Sequence, residues 1–399
     1  MRRSLDGIHC SHSGRVSGDE SFEAEDRRKS RGEPYDQSGY ASRLFEAVTN
    51  VVKRQIDIGI DAVSDGELGR VRSWPYYQQR VEGIEYRACD PGEFGSTIYR
   101  LRERGRFSKY YEETDRARFE AGGPTRKEMR IVCTSPLKNK DTSVLQGELE
   151  RFRSVLKRLN AEDRDAFFPV ISPGWLDHFI FNECYKTDEE FIYALAEMMR
   201  PEYEAIVDAG FLVQIDDPGL TDAWATFNPV PPLEEYRKRS RLRVEALNHA
   251  LRNVPEEKVR YHLCWGSWNG PHIDDLPFKD IVDVMLEVKA QAYSFEAGNV
   301  RHEHEWKIWR DRKLPDGKIL IPGVVSHRTF TVEHPEVVAD RLINFANLVG
   351  RENVMAGTDC GMGLRVGSFA EIGWAKLEAM VEGAALASKQ LWSAKSAAE

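Results

Sequence analysis

Residues 260–269 read Arg-Tyr-His-Leu-Cys-Trp-Gly-Ser-Trp-Asn, a run that has the character of a strand entering a turn. His262 and Cys264 are two positions apart, so both side chains lie on the same face of such a strand. An imidazole and a thiolate held side by side are two of the ligand types that zinc prefers. Taken alone, the pair is more simply explained as a buried His and Cys at a strand end, so the rest of the chain must supply partners.

Outward from this stretch, strand-like apolar runs alternate with amphipathic helix-like runs along most of the chain. The predicted strands cover 8–13, 60–64, 166–172, 211–216, 258–264, 292–296, 319–325 and 353–358, with half of a hairpin at 130–135. The predicted helices cover 40–58, 144–160, 188–209, 233–252, 278–288, 306–312, 335–349 and 369–391. Such alternation is typical of an α/β protein with a parallel sheet.

Apart from the hairpin strand, the strands make eight strand–helix units, which predict a closed (β/α)8 TIM barrel. An open doubly wound sheet is the alternative. It is disfavoured because no glycine-rich dinucleotide fingerprint follows the first strand. Residues 74–130 carry many Arg, Tyr and Glu without a clean period, and they are predicted to form an insertion over the barrel after the second strand. We therefore expect a single catalytic domain that spans 1–399.

The composition excludes several classes of function. The net charge is −9, which argues against nucleic acid or an anionic membrane as the main partner, because both need a basic face. Hydrophobic residues make up 41% of the chain, yet no run approaches the apolar length of a membrane span. The six cysteines form no close pairs, which is typical of a protein from the reducing cytoplasm. A cytoplasmic location is therefore expected, and the oligomeric state stays open, with a homo-oligomer among the options.

Polar residues cluster where five of the predicted strands end, which is where barrel enzymes carry their chemistry. These residues are Asp65 and Glu67, Asp216, His262 and Cys264, Glu296, and Cys360. Four of them, His262, Cys264, Glu296 and Cys360, make a tetrahedral set for Zn²⁺ with one nitrogen, one oxygen and two sulfur ligands. Two thiolates make such a zinc poor at hydrolysis but well suited to bind a third thiolate and to activate it as a nucleophile.

These residues carry a resemblance to a known family. The motifs are Val63-Ser-Asp-Gly-Glu67, Gln214-Ile-Asp-Asp-Pro218, His262-x-Cys264, Phe295-Glu296 and Asp359-Cys360-Gly361. From about residue 8 to residue 391 the chain resembles the C-terminal catalytic domain of cobalamin-independent methionine synthase. It is most similar to the stand-alone, single-domain members of that superfamily, to which epoxyalkane:coenzyme M transferase is related.

The resemblance implies a barrel of the methionine synthase and uroporphyrinogen decarboxylase type, with a zinc that activates a thiol for alkyl transfer. His262, Cys264, Glu296 and Cys360 would be the ligands. Asp216 and Glu67 would hold the amino group or another polar part of the thiol substrate. Trp175 lies near the place of an aromatic beside the methyl donor, although a packed core Trp explains it as well.

Two departures bear on the substrates. The first strand of the family leads into a Gly-Ser pair that helps to hold homocysteine, whereas His12-Ser-Gly14 is followed here by Arg15. A cation at that position indicates that the thiol substrate carries a different or larger anionic group than homocysteine does. The N-terminal half of the full-length synthase, which helps to bind folate, has no counterpart in this sequence, so folate is not predicted as the donor.

Other candidates lie near these motifs, and each has a structural alternative. Trp265 and Trp268 are predicted either to line an apolar substrate pocket or to pack over the mouth of the barrel. His272 is a candidate general acid or base or, more simply, a histidine that supports the site through hydrogen bonds. Arg70 and Arg365 follow site motifs and are candidates for binding a substrate carboxylate, sulfonate or phosphate, or for structural ion pairs. His302 to Glu305 form a second His/Glu cluster, more simply a solvated or supporting group than a metal site.

The predicted function is zinc-dependent transfer of a methyl or other alkyl group from a small-molecule donor to a small-molecule thiol. The first alternative is opening of an epoxide or similar electrophile by a zinc-bound thiol. A decarboxylase is disfavoured because the zinc set is complete. The alternative from another class is a zinc-binding protein without catalysis, against which the carboxyl groups of Asp65, Glu67 and Asp216 argue.

Overall fold

The computed structural model describes residues 7–11, 34–70, 80–90, 100–120, 129–267, 270–362 and 369–393, together with residues 22, 25–26, 28–29 and 77. Its main feature is a parallel sheet of seven strands. In hydrogen-bonded order these strands are β1 (Ala62–Val63), β4 (Asp165–Ile171), β6 (Leu212–Asp216), β7 (Val259–Leu263), β8 (Ala292–Phe295), β9 (Ile319–Val325) and β10 (Gly357–Thr358).

The strands of this sheet are buried along almost their whole length. Every residue of β7 and of β9 is buried, with no alternation between an inner and an outer face. Continuous apolar runs of this kind are typical of parallel strands that are covered on both faces. The apolar sequence of each strand is thus the reason why it lies in the middle of the protein.

Helices alternate with most of these strands, as the sequence predicted, but the helix predicted at 306–312 is a 3₁₀ helix at Glu303–Arg310 and the one predicted at 278–288 is shortened to Val282–Leu286. The long helices are α1 (Gln37–Asp57), α4 (Ser143–Arg158), α6 (Asp188–Asp208), α8 (Leu233–Ala250), α10 (Pro335–Val349) and α11 (Ala370–Ser393). Short helices are α2 (Leu101–Arg106), α3 (Ser108–Glu120), α5 (Pro173–Leu176), α7 (Asp222–Thr226) and α9 (Val282–Leu286). The ends of the helices follow local chemistry: Thr187 caps α6 by accepting a hydrogen bond from the Glu190 amide, and Gly210 follows α6 with a positive φ.

The sheet curls so that its two ends approach the N-terminal segment 7–11. Ser11 forms a parallel bridge with Ala62 in β1, and Cys10 forms another with Ala356, just before β10. The buried Arg260 side chain of β7 donates a hydrogen bond to the Ser11 hydroxyl at 2.8 Å. The fold is therefore α/β with a curled parallel sheet.

A second, smaller sheet is formed by β2 (Val81–Ala88), β3 (Met129–Asn139) and β5 (Ile180–Asn182). β2 and β3 pair in antiparallel fashion, so the hairpin strand predicted near residue 130 is present and extends to residue 139. Between them, the segment of α2 contacts two connections of the main sheet: Arg100, just before α2, pairs with Asp222 of α7, and the Glu103 carboxylate accepts a hydrogen bond from the Ile273 amide at 3.1 Å.

None of the helices in the described part of the chain has the length and apolar character that are needed to cross a membrane.

Candidate metal centre

Three ligand atoms meet at the C-terminal end of the curled sheet. The side chains of His262, Cys264 and Cys360 each offer one such atom, and these atoms lie within 4.8 Å of one another. His262 and Cys264 come from the end of β7, whereas Cys360 follows β10, three strands away in the sheet order. The curvature of the sheet is what brings these distant strand ends together.

The chemistry of this group fits a metal ion. Nδ1 of His262 lies 3.1 Å from the Ser294 hydroxyl, while its buried Nε2 has no hydrogen-bond partner in the described part of the chain. The Cys264 thiol donates to Cys360, which holds the pKa of Cys360 well below its usual range and raises that of Cys264. An open imidazole nitrogen and two sulfurs that share one proton are a donor set that a soft divalent metal ion satisfies.

Glu296 lies beside this group, but its carboxylate is engaged elsewhere. Oε1 accepts hydrogen bonds from the Trp265 amide and from Nη2 of Arg328, each at 2.9 Å. Oε2 accepts hydrogen bonds from the side-chain amide of Asn299 at 2.8 Å and from Nη2 and Nε of Arg328 at 2.7 and 3.2 Å. The ligand group within 4.8 Å, taken over the described residues, contains no carboxylate.

Asp216 and Glu67 lie at the mouth of the same group. The register of β6 and β7 pairs Asp216 with His262, so their side chains stand side by side at the strand ends. Burial raises the pKa of Asp216 to about 7, and the negative charges of Glu67 and Cys360 add to this effect. Glu67 has a φ of 56°, a left-handed conformation that is unusual for a residue other than glycine. The structure thus brings both predicted carboxyl groups to the site.

Asp65 and Arg70 form a buried ion pair with each other. Arg70 also donates to the Pro169 carbonyl at 3.1 Å, and its guanidinium lies 3.7 Å from the centre of the Phe168 ring. Asp65 also accepts a hydrogen bond from the Glu67 amide at 3.0 Å, which shapes the turn that presents Glu67. This geometry favours the structural alternative for Arg70, and it makes Asp65 part of the turn that carries Glu67.

The two candidate tryptophans that the structure describes, Trp265 and Trp175, differ in exposure. Trp265 is fully buried: its indole N–H donates to the Leu276 carbonyl at 2.7 Å, and its ring stacks on His302 with a centroid distance of 4.1 Å. Trp175 is only half-buried and packs edge-on against Phe179. Packing thus accounts for Trp265, while Trp175 keeps an accessible face.

His272 connects two charged groups. Its Nδ1 lies 2.9 Å from an oxygen of Asp275, and its Nε2 faces Nη1 of Arg328. Because a guanidinium only donates, Nε2 must accept and the ring proton must lie on Nδ1. This geometry favours the supporting alternative for His272.

The second His/Glu cluster does not gather ligand atoms around one point. His302 lies between Asp275 and Glu305 in a buried hydrogen-bonded chain, whereas His304 is exposed. Within the described residues, the group of His262, Cys264 and Cys360 is the one set of three that fits a metal ion. Arg15, Trp268 and Arg365 lie outside the described residues.

Two further groups at the site were not singled out from the sequence. His327 and Arg328 follow β9 after one residue, Ser326, so the strand-end rule that selected the other candidates points to them as well. His327 is 1% exposed, and neither ring nitrogen has a hydrogen-bond partner in the described part of the chain. Burial lowers the pKa of His327, while the charges of Cys360 and Glu296 act in the opposite direction.

Asp359, which precedes Cys360, anchors the loop after β8. Its Oδ1 accepts hydrogen bonds from the amides of Ala297 and Gly298 at 2.8 and 2.7 Å, and its Oδ2 accepts from Asn299 at 2.9 Å. A side chain at Gly323 would collide with Asp359, so the close approach of β9 and β10 requires glycine there. Asp359 thereby links the segment of Cys360 to that of Glu296.

Comparisons with known proteins agree with these observations. No family model matches the chain. The methionine synthase of Thermococcus kodakarensis is 22% identical over 357 residues, which cover 88% of this chain and 85% of that protein. The methionine synthase of Sulfolobus acidocaldarius is 22% identical over 349 residues, covering 87% and 82%.

A solved structure shares the fold over almost its whole length. It is a B12-independent methionine synthase from Shewanella sp. W3-18-1 in complex with selenomethionine, with a TM-score of 0.70 at 17% identity. The match covers 97% of this chain and 99% of that one. The resemblance to the cobalamin-independent methionine synthase superfamily is therefore confirmed: the chain is similar to methionine synthases over most of its length and has the fold of the B12-independent type.

Proposed function

We propose that this protein is a zinc-dependent transferase that moves a methyl or other alkyl group onto a small-molecule thiol. The observation that carries the proposal is the meeting of His262, Cys264 and Cys360 at the end of the sheet, with carboxyl groups of Asp216 and Glu67 beside them. The relatives named methionine synthase support the same class of reaction. Bound zinc would lower the pKa of a thiol and hold it as a thiolate at neutral pH.

The residues around this centre suit the polar part of a thiol substrate. Asp216 and Glu67 lie on one side of the ligand group and are proposed to bind an amino group or another donor. Because the pKa of Asp216 is about 7, a cationic substrate group would favour its charged form. Trp175 is proposed to lie beside the alkyl donor, and Arg15 to bind an anionic group of the thiol.

His327 is proposed to move the proton of the reaction. In this reaction the thiol loses its proton and its sulfur forms a bond to the alkyl carbon. The bond from that carbon to the leaving atom breaks, and the leaving group takes up a proton. A buried, neutral imidazole with both nitrogens open can accept the first proton and deliver the second. His272 was a candidate general acid or base with a supporting role as the alternative, and its contacts with Asp275 and Arg328 favour the supporting role.

We also propose that the curled sheet closes into a (β/α)8 barrel through the N-terminal segment. The bridges of Ser11 to Ala62 and of Cys10 to Ala356, and the bond from Arg260 to Ser11, support this closure. The segment 74–130 is proposed as an insertion over the barrel, supported by the contacts of Arg100 and Glu103 with the loops after β6 and β7. A cytoplasmic location remains our prediction.

The experiment that tests the function combines metal analysis with an acceptor and donor screen. Purified protein should hold about one zinc per chain by elemental analysis, and X-ray absorption at the zinc edge should show a third sulfur ligand when the right thiol is added. Methyl donors should then be consumed with that thiol, and Cys264→Ser or Cys360→Ser should abolish turnover. Turnover of small epoxides alone would identify the alternative chemistry. Failure to bind zinc, or full activity of both serine variants, would refute the proposal.

A further inference from the structure

A buried ion pair lies behind the loop that follows β9. Lys376 of α11 is 0% exposed, and its ammonium nitrogen lies 2.7 Å from Oε2 of Glu333, a side chain that is 9% exposed. The same nitrogen donates a hydrogen bond to the Thr331 carbonyl at 2.5 Å. Oε1 of Glu333 accepts a hydrogen bond from the Ser326 amide at 2.8 Å. Lys376 and Glu333, called the clamp below, thus hold the β9 loop, residues 326–334, near both of its ends.

The residues on both sides of His327 are connected to this clamp. Ser326, which precedes His327, donates its amide to Glu333. The hydroxyl of Ser326 accepts a hydrogen bond from the Arg328 amide at 3.1 Å. Because Ser326 bonds Glu333 on one side and Arg328 on the other, the position of the clamp determines the backbone from which the His327 side chain projects.

The tip of the β9 loop gains little from packing. Residues 329–332 are exposed, and Phe330 within them is 55% exposed. Segments with few buried contacts open locally at a small cost in free energy. His327, in contrast, is 1% exposed and lies at the site. The clamp is therefore a buried link between the body of the protein and a loop whose outer part is in solvent.

Stability alone does not explain a lysine at this position. The neighbours of Lys376 in α11 include Trp374, Leu377 and Met380, which are buried and apolar. Replacing a buried ion pair by apolar side chains of similar volume is often neutral or stabilising, because the charges no longer have to be desolvated. Burial accordingly lowers the pKa of Lys376, although Glu333 acts in the opposite direction. What the ion pair adds is direction, since its hydrogen bonds fix where the β9 loop lies.

We propose that Lys376 and Glu333 are positioning residues that hold the β9 loop so that the imidazole of His327 faces the reacting thiol. The inference rests on the proposed function, because it gives the clamp a role in the proton transfer by His327. Lys376 acts through Glu333, and Glu333 acts through the Ser326 amide. A displacement of about 1 Å at a reacting group can cost about 100-fold in rate, so even a small shift of the loop is expected to slow the reaction.

The first test follows the loop itself and needs no substrate. Hydrogen exchange of peptides that cover 326–334, measured by mass spectrometry, should be at least about tenfold faster in Lys376→Met than in the wild type. The matched control is Lys318→Met. Lys318 precedes the opposite end of β9, and it also donates to a carboxylate, that of Glu256 at 2.5 Å, and to a carbonyl, that of Ala290 at 2.8 Å. The control should leave exchange in the loop unchanged, and unchanged exchange in Lys376→Met would overturn the proposal.

The second test measures alkyl transfer with the thiol and donor that the screen identifies. Lys376→Met should lower kcat about 10–100-fold, change KM less than about threefold and keep the zinc content of the wild type. Lys318→Met should keep the kcat of the wild type. A kcat of Lys376→Met within about twofold of the wild type would overturn the proposal. Loss of zinc from Lys376→Met would also contradict it, because the clamp would then support the metal centre rather than His327.

A double variant separates positioning from stability, and it serves as well if Lys376→Met alone does not fold. Lys376→Met/Glu333→Met removes both charges, so no unpaired charge stays buried and Tm should lie near that of the wild type. Because the acceptor of the Ser326 amide is also gone, kcat should remain at least about tenfold low. Recovery of kcat together with Tm would contradict the proposal, since the ion pair would then contribute to stability alone. If the wild type transfers no alkyl group, the proposed function fails, whereas the exchange of the loop still decides whether the clamp holds it.

Discussion

The protonation of His302 links the stability of the site to pH. Nε2 of His302 lies 3.2 Å from an oxygen of Asp275, and Nδ1 lies 2.8 Å from an oxygen of Glu305. Burial lowers the pKa of His302, but the hydrogen bonds to Asp275 and Glu305 and the charge of Glu296 outweigh it and raise the pKa to about 9. The imidazolium is therefore the form that the folded protein holds at neutral pH.

The size of this effect follows from the shift. Moving the pKa from 6.5 to about 9 corresponds to about 3 kcal/mol of stabilisation by the charged form. Because the pKa is raised on folding, this contribution is complete below pH 6.5 and is lost as the pH rises through 9. For 399 residues the unfolding entropy is about 0.8 kcal/mol/K, so the contribution is worth about 4 °C in Tm.

The assay compares Tm of the wild type and of His302→Gln from pH 6 to pH 10 at constant ionic strength and zinc concentration. The difference in Tm between the wild type and His302→Gln should be near its maximum at pH 6 and should shrink by about 4 °C toward pH 10. The other titrating groups are common to both proteins, so their effects cancel in this difference. His304→Gln is the matched control, because His304 is exposed, and it should follow the wild type at every pH. A difference that stays constant over this range, or that grows at high pH, would refute the reasoning.

Three further predictions concern burial and reactivity. Glu202→Gln should lower the free energy of unfolding by about 3–5 kcal/mol in urea denaturation, because it leaves the buried Arg80 without its charged partner at 3.4 Å; a loss below about 1 kcal/mol would contradict this. His327→Gln should lower kcat for alkyl transfer by about 10²–10⁴-fold while zinc content stays at the wild-type level, and unchanged turnover would remove His327 from the reaction. In metal-free protein, iodoacetamide at pH 7 should alkylate Cys360 well before Cys133, because the pKa of Cys360 is lowered and burial raises that of Cys133 to about 12. Peptide mass spectrometry checks the order of alkylation, zinc should slow it at Cys360, and equal rates at the two thiols would contradict the shared-proton geometry.

Much of the fold follows from local sequence pattern. The predicted strand at 319–325 and helix at 335–349 have the bounds observed for β9 and α10. The predicted strands from 166–172 to 292–296 lie within a residue of the observed ones, whereas those predicted at 60–64 and 353–358 are shorter in the structure, at Ala62–Val63 and Gly357–Thr358. These elements could be predicted because uninterrupted apolar runs and caps such as that of Thr187 act within a few residues. The second sheet was mostly missed, because its strand β2 is largely exposed and has no apolar period.

The sequence by itself determined that the polar residues at the strand ends share one side of the molecule. Parallel strands end at one edge, so His262, Cys264 and Cys360 had to approach one another once the sheet curled. Only the tertiary structure decided which partner each side chain has. Glu296 and Arg328 are 32 positions apart, and their pairing depends on strand register and side-chain rotation rather than on any local pattern. Residue types and the hydrophobic periodicity of the sequence therefore indicate where the chemistry lies. Whether a given side chain is a metal ligand, an ion-pair partner or a proton carrier depends on contacts that arise from the packing of distant strands.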